Sequence, residues 1–261
     1  MSEIIRTDAV VLRSIDYRET SKIVTLYTRH AGRMGVLVKG ARQKKNPFGS
    51  TLEPLSYISA VIYTKEGRDL QLLTAADFRK MFRFLPAALD SLAPALAILE
   101  IVNRVTHDGE ENHPLFDLVV GTLSALDESL APPPFLLAYF EFRLAAVLGF
   151  RPQMDACASC GKAPSAGRPE DLWAFDHSRG AILCSDCADG QAAADTISGA
   201  TVALLGLFLA QPPEVAVRPG NLSEVSAAAV KNAAWRYLRY HAHGLRDLAA
   251  EKIFIGFGET V

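Results

Sequence analysis

Four cysteines stand in two pairs, Cys157-Ala-Ser-Cys160 and Cys184-Ser-Asp-Cys187, with 23 residues between the pairs. Each pair offers two thiolates from one tight turn. Two such turns facing each other complete the tetrahedral shell of a Zn²⁺ ion. Gly161 follows the first pair, where a thiolate turn needs a permissive backbone. The spacing slightly exceeds the usual range of about 15–20 residues for paired CxxC zinc sites. Disulfides are the competing reading, and a cytosolic setting disfavours them. A thioredoxin-like redox site needs one CxxC beside a βαβ unit, which the flanking sequence lacks. Four thiolates close the shell, so the expected ion is one structural Zn²⁺ and not a catalytic one. The His-x-Glu of the nucleobase deaminases is missing, because His107 is followed by Asp-Gly and His177 by Ser-Arg. His241 and His243, two apart on a predicted helix, are expected to face solvent.

The second set of chemistry-bearing residues is a stretch from Thr20 to Leu52 that contains no Asp or Glu. It holds Lys22, Arg29, Arg33, Lys39, Arg42, Lys44 and Lys45, with His30 as well. A one-sign patch of this kind is the electrostatic footprint of a polyanion binder. An ordinary solvated charged surface is the other reading. Lys39, Arg42, Lys44 and Lys45 are the expected DNA contacts, with Arg29 and Arg33 secondary. Tyr17, Tyr27, Phe48, Tyr57 and Tyr63 interleave with the charge and could stack on bases or fill a core.

The formal net charge of −2 over 261 residues hides an asymmetry. Residues 1–80 carry 14 Lys and Arg against 8 Asp and Glu, a net of +6. The remaining 13 basic and 21 acidic residues give −8. A basic front and an acidic rear point to domains with different partners. No apolar run approaches the ~20 residues needed to span a bilayer, and the first residues lack the pattern of a signal peptide. A cytoplasmic protein is therefore expected. The chain has no GxxxxGK[ST] loop, no GxGxxG after a strand and no Gly-x-Ser-x-Gly elbow, so no enzyme and no small-molecule substrate are expected.

These residues need elements to hold them. Residues 1–80 read as β, with candidate strands Ile4–Arg13, Lys22–Tyr27, Arg33–Val38, Tyr57–Tyr63 and Asp69–Ala75. Five strands in this length match an OB-fold, a partly open barrel that binds oligonucleotides. The Lys39–Gly49 segment is then a loop punctuated by Gly and Pro. From Pro86 the apolar period becomes helical, through Leu89, Leu92, Leu96 and Leu99. A second helix carries Leu115, Leu118, Leu123 and Leu126. A third carries Phe135, Tyr139, Phe142 and Ala146 and stops near Gly149. Leu172–Phe175 and Gly180–Leu183 read as the hairpin of a zinc ribbon. Two further helices follow, from about Ser198 to Ala210 and from a capping box of Asn221 and Glu224. The apolar tail Ile253–Phe257 is expected to dock or fray. The predicted class is α+β and multidomain: an N-terminal OB-fold β-barrel (1–80), then a helical domain (81–155 and 191–261) with an inserted four-cysteine zinc ribbon (156–190).

The pieces, in order, resemble the RecO family of bacterial recombination mediators. The likeness lies in Val10-Val-Leu12, Glu19, Tyr27-Thr-Arg-His-Ala-Gly32, Lys39-Gly-Ala-Arg42 and Leu52-Glu-Pro-Leu55. It continues through Leu115-Phe-Asp-Leu118, Phe140-Glu-Phe-Arg-Leu144, Leu148-Gly-Phe150, Cys157-x-x-Cys160-Gly161 and Gly180-Ala-Ile-Leu-Cys184. One departure sits in the basic loop, where Asn46-Pro47 replaces the further Ser or Arg common in the family, at the expected loss of one phosphate contact. The resemblance implies a non-enzymatic protein of DNA repair that binds single- and double-stranded DNA and anneals complementary strands. It implies RecR and the acidic, Phe-ended tail of single-stranded-DNA-binding protein as partners, loading of RecA onto coated DNA, and a nucleoid-associated location. The rival classes are a zinc-ribbon adaptor that binds only proteins and an unrecognised zinc hydrolase.

Overall fold

The structure is a computed structural model that describes residues 2–164, 171–188, 195–242 and 244–245. The described residues divide into two compact units, one up to residue 123 and one from residue 124 onward.

The first unit is built on a closed five-stranded barrel. Its strands are β1 (Ser2–Tyr17), β2 (Ser21–Thr28), β3 (Gly32–Val38), β4 (Tyr57–Lys65) and β5 (Leu70–Lys80). Neighbours run in the order β1-β2-β3-β5-β4, with β1 also paired to β4. All pairings are antiparallel except β3 with β5, which is parallel. This is the OB-fold arrangement that the strand spacing predicts. Alternate residues such as Val24 and Leu26 of β2, Val36 and Val38 of β3 and Ile58, Ala60 and Ile62 of β4 fill the barrel. A register shift in β1 between Val11 and Arg13 lets one long strand serve two partners.

Helix α1 (Leu89–Val105) packs against β1. It starts later than the sequence suggests. Ala87 and Ala88 both donate to the Phe84 carbonyl in a single turn, and the extended Ala88 breaks the chain before Leu89. The leucine stripe is only partly the buried face: Leu99 is buried, but Leu92 and Leu96 are half-buried. Leu89 is 69% exposed, while Ser91, Pro94, Ala95, Ile98 and Val102 are buried. Helix α2 (His113–Asp127) buries Leu115, Phe116, Val119 and Leu123.

In the second unit α3 (Pro133–Val147) is buried nearly all round and packs against the two other long helices, α4 (Gly199–Ala210) and α7 (Ala227–His241). Short helices α5 (Pro213–Ala216) and α6 (Pro219–Leu222) lie between those two. Gly149, with φ +94°, ends α3 as expected. Its N–H donates to Ala146 O and that of Phe150 to Ala145 O, which satisfies the last carbonyls. The capping box assigned to Asn221 and Glu224 is not used. Helix α7 begins at Ala227, and Ser226 caps it by accepting from Ala229 N. Asn221 instead donates to the carbonyls of Val215 and Ala216. The hairpin β6 (Leu172–Asp176) with β7 (Ala181–Cys184) forms where predicted, and β8 (Asp195–Ser198) adds a third strand beside β6. The tail Ile253–Phe257 and His243 lie outside the described residues.

Candidate nucleic-acid interface and cysteine cluster

The basic loop leaves β3 at Val38 and is pinned at both ends. Gly40 adopts φ +72°, and the Gln43 N–H closes a turn on its carbonyl. Ala41 and Phe48 are both buried in the barrel core. Arg42 N–H donates to Thr20 O at 3.0 Å, tying the loop to the β1–β2 turn. Asn46 Oδ1 accepts the N–H groups of Phe48 and Gly49, each at 2.8 Å. Between the two buried anchors, Arg42, Lys44 and Lys45 are exposed, as is Lys39 just before them.

The six cations expected to meet DNA fall into two groups. Lys39, Lys44 and Lys45 have no ion-pair partner among the described residues. Arg42 Nε lies 3.1 Å from Asp16 Oδ2, and its Nη1 donates to Arg18 O. Arg29 grips Asp117 with both terminal nitrogens, and its guanidinium lies over the Phe116 ring. Arg33 donates to Asp108 Oδ1 at 2.7 Å and to Asn103 O. Lys22 pairs with Glu53 at 2.9 Å. The stretch is free of acids along the chain but not in space.

An open groove of about 1070 Å³ runs beside the loop, lined by Tyr17, Arg18, Leu37, Lys39 and Arg42 among others, with Glu19 its acidic residue. Arg18 is exposed and sits above the Tyr17 ring. Sequence reasoning passed over it because Glu19 separates it from the acid-free stretch. Of the aromatics, Tyr27 and Phe48 are core residues and cannot stack on a base. Tyr27 donates to Asn112 O at 3.3 Å, and burial raises its phenol well above the ordinary value, aided by the charge of Glu110. Tyr17, Tyr57 and Tyr63 are half-buried.

The two CxxC turns meet. The ligand atoms of Cys157, Cys160, Cys184 and Cys187 lie within 4.8 Å of one another, and the sulfurs of Cys160 and Cys184 are 3.7 Å apart. Zn–S bonds of about 2.3 Å in a tetrahedron give a sulfur–sulfur edge of about 3.8 Å, so the cluster fits such an ion. Cys184 N–H points at Cys157 Sγ at 3.4 Å. Burial alone would push the Cys157 thiol up. The backbone N–H groups of Cys160, Cys184 and Ser159 outweigh it and hold the thiol at about 6. Gly161 takes φ +75° directly after the first pair. Four soft sulfurs with amide donors suit a thiophilic metal as a structural centre.

His177 does not replace a cysteine. It lies between Phe175, Tyr237 and Asp195, and burial lowers its basicity below the ordinary value against the pull of Asp195. His241 is not solvent-facing as expected. Its ring stacks on Phe150 at 4.7 Å, and its Nε2 lies 2.9 Å from His177 O. His241 ends α7 on the side that meets Phe150 and the turn of the ribbon hairpin at His177. Among the helical arginines, Arg143 donates to the carbonyls of Phe208 and Leu209, and Arg236 pairs with Asp195.

Among the described residues no helix is long and apolar enough to cross a membrane. The family model described as Recombination protein O N terminal matches residues 1–82, and that described as Recombination protein O C terminal matches residues 86–246. The chain is 32% identical over 255 residues to the DNA repair protein RecO of Anaeromyxobacter dehalogenans, covering 97% of each. It is 34% identical over 228 residues to that of Myxococcus xanthus, covering 85% of this chain and 90% of the relative. Identity reaches 41% over 152 residues with that of Salinibacter ruber, covering 58% of each.

Proposed function

Since the chain belongs to the RecO family, we propose that it is a non-enzymatic DNA-binding mediator of recombinational repair. It binds single- and double-stranded DNA through the loop after β3. It anneals complementary strands and, with RecR, helps load RecA onto DNA coated with single-stranded-DNA-binding protein. The observation that carries this reading is the pinned loop. Two buried anchors, Ala41 and Phe48, hold Arg42, Lys44 and Lys45 out from the barrel beside an open groove. A fixed mount of exposed cations tracks phosphates without reading bases. Annealing needs no chemistry beyond a lowered repulsion between two strands held close. Lys39, Lys44 and Lys45 are the direct contacts, and Arg42 joins them from its pair with Asp16. Arg29 and Arg33 are secondary, because each is already held by a carboxylate.

The cysteine cluster holds one structural Zn²⁺ on Cys157, Cys160, Cys184 and Cys187. The ion ties the 157–162 turn to the end of β7. For the acidic, Phe-ended tail of single-stranded-DNA-binding protein, the second unit offers an open groove of about 630 Å³. Met154, Ala203, Gly206 and Leu207 line it for a phenyl ring. Arg151 can meet a carboxylate there, and Asp155 limits how many.

The test is fluorescence anisotropy of a labelled single-stranded oligonucleotide at several salt concentrations. Wild type is expected to bind with a steep salt dependence. An Arg42→Glu/Lys44→Glu/Lys45→Glu variant should lose both affinity and slope. Equal binding by the two proteins would place the DNA elsewhere. No binding by either would favour a zinc-ribbon adaptor that acts only on proteins.

A further inference from the structure

Within the first unit, the β2–β3 turn, the loop between α1 and α2 and the first residue of α2 bring three side chains together: His30, Glu111 and His113. His30 Nδ1 lies 3.7 Å from Glu111 Oε1, and His113 Nε2 closes on the same oxygen. That nitrogen is shielded from solvent and lacks hydrogen-bond geometry to its neighbour. The imidazole centroids are 5.1 Å apart with planes at 83°. One ligand atom from each of the three residues falls within 4.8 Å of the others.

We propose that His30, Glu111 and His113 form a second, exchangeable site for a first-row divalent metal such as Zn²⁺, Ni²⁺ or Cu²⁺. The donor set suits these ions, since imidazole is their preferred nitrogen ligand and one carboxylate balances charge. The geometry suits them as well. Metal–nitrogen bonds of about 2.0–2.1 Å at a tetrahedral centre place two imidazole centroids about 5 Å apart. The widest separation is larger than a bound ion needs, but the side chains of His30 and Glu111 are half-exposed and can close by rotation. Three protein ligands leave coordination positions for water, so this site exchanges metal more readily than a closed set of four thiolates.

The backbone under the three ligands is already fixed. Gly32 bridges to Asp108, and Gly109 N–H donates to Arg33 O at 3.0 Å. A Cβ on Gly32, which has φ +60°, would fall 2.2 Å from Glu110 O, so the two loops touch through bare backbone. Thr28 Oγ1 accepts Ala31 N–H in the turn, and Asn112 Oδ1 accepts Leu115 N–H where α2 begins at His113. A metal therefore meets preset ligand positions and orders little new chain. Once bound, it ties the turn bearing Arg29 and Arg33 to the start of α2, and it stabilises the folded chain by mass action. His107 and Glu110 form a nearby pair at 3.3 Å, but they offer a single imidazole.

The test uses the full chain with its cysteine site filled by Zn²⁺ and excess metal dialysed away. Ni²⁺ is then titrated calorimetrically while absorbance reports any thiolate-to-nickel transfer. Wild type is expected to take up one further Ni²⁺ per chain, with a flat thiolate band and a raised thermal midpoint. His30→Ala and His113→Ala should each weaken uptake at least tenfold, and His107→Ala should bind like wild type. The exposed His30→Ala variant decides the case if His113→Ala fails to fold. The proposal is overturned if wild type takes up no further Ni²⁺ or if His30→Ala binds as wild type. It is also overturned if His107→Ala alone loses the ion, or if uptake follows the thiolate band.

Discussion

Asn46 Oδ1 accepts the backbone N–H of Phe48 at 2.8 Å, so the residue just before Pro47 in the basic loop is the one that ends the loop. The resemblance to the RecO family implies that Asn46-Pro47 costs a phosphate contact. In the fold the amide side chain turns the chain so that Phe48 drops into the barrel. Asn46→Ala should cost about 1 kcal/mol of stability, as loss of a cap does. Phe48→Ala should cost about 3–5 kcal/mol through the cavity it leaves. Both should weaken DNA binding without removing a charge. Urea midpoints and anisotropy on the same samples check this. Unchanged DNA affinity in a destabilised Asn46→Ala protein would show that the anchor does not position the cations.

Unpaired and paired cations should differ in salt dependence. Each phosphate contact on a single strand adds about −0.7 to the log–log slope, so four to six contacts give a slope of about −3 to −4. Lys44→Ala should make the slope shallower by about 0.7. Arg33→Ala should leave the slope nearly unchanged, because that guanidinium is spent on Asp108 and Asn103 O. A larger slope change in Arg33→Ala than in Lys44→Ala would reverse the ranking.

Metal removal should open the ribbon. Trp173 pairs directly with Cys184 in the β6–β7 ladder and is only 2% exposed. Mercurial titration of the thiols should release one Zn²⁺ per chain and red-shift the Trp173 emission, with Trp235→Phe used to isolate the signal. A chain that releases no metal, or whose Trp173 emission stays put, would contradict a structural ion at this site.

Alkaline stability should depend on Tyr237. Its phenol is buried, donates to Phe150 O at 3.0 Å, and is pushed up to about 12 by burial. The folded value is raised above the ordinary value of about 10, so the unfolded chain loses this proton first. The phenol's contribution to stability is therefore complete below about pH 10 and is lost as pH rises toward 12. Denaturant midpoints between pH 9 and 11.5 should fall more gently in Tyr237→Phe than in wild type. Parallel curves would mean that this phenol is not linked to folding.

Much of the architecture is legible in local pattern. The five strands come from alternation, the start of the cysteine-bearing ribbon from CxxC spacing, and the end of α3 from Gly149, because each signal is carried by residues close in the chain. The capping of α7 was misread for a related reason. Asn221 and Ser226 are both good caps, and packing decides between them. The core face of α1 is legible only in part, because leucine spacing marks a helix and includes the buried Leu99 without saying that Leu89 stays outside.

The sequence by itself determined that a basic loop follows the third strand and that four cysteines can close on one ion. Both follow from residue type and short spacing. Only the tertiary structure decided which cations are available. Asp16, Asp108 and Asp117 lie outside the acid-free stretch, yet the fold brings them onto Arg42, Arg33 and Arg29. The same closure sets His30 beside Glu111 and His113, about eighty residues on. Ion pairs and ligand sets form through space, and contacts at such separations are fixed by strand register and loop packing, which one-dimensional charge patterns do not carry.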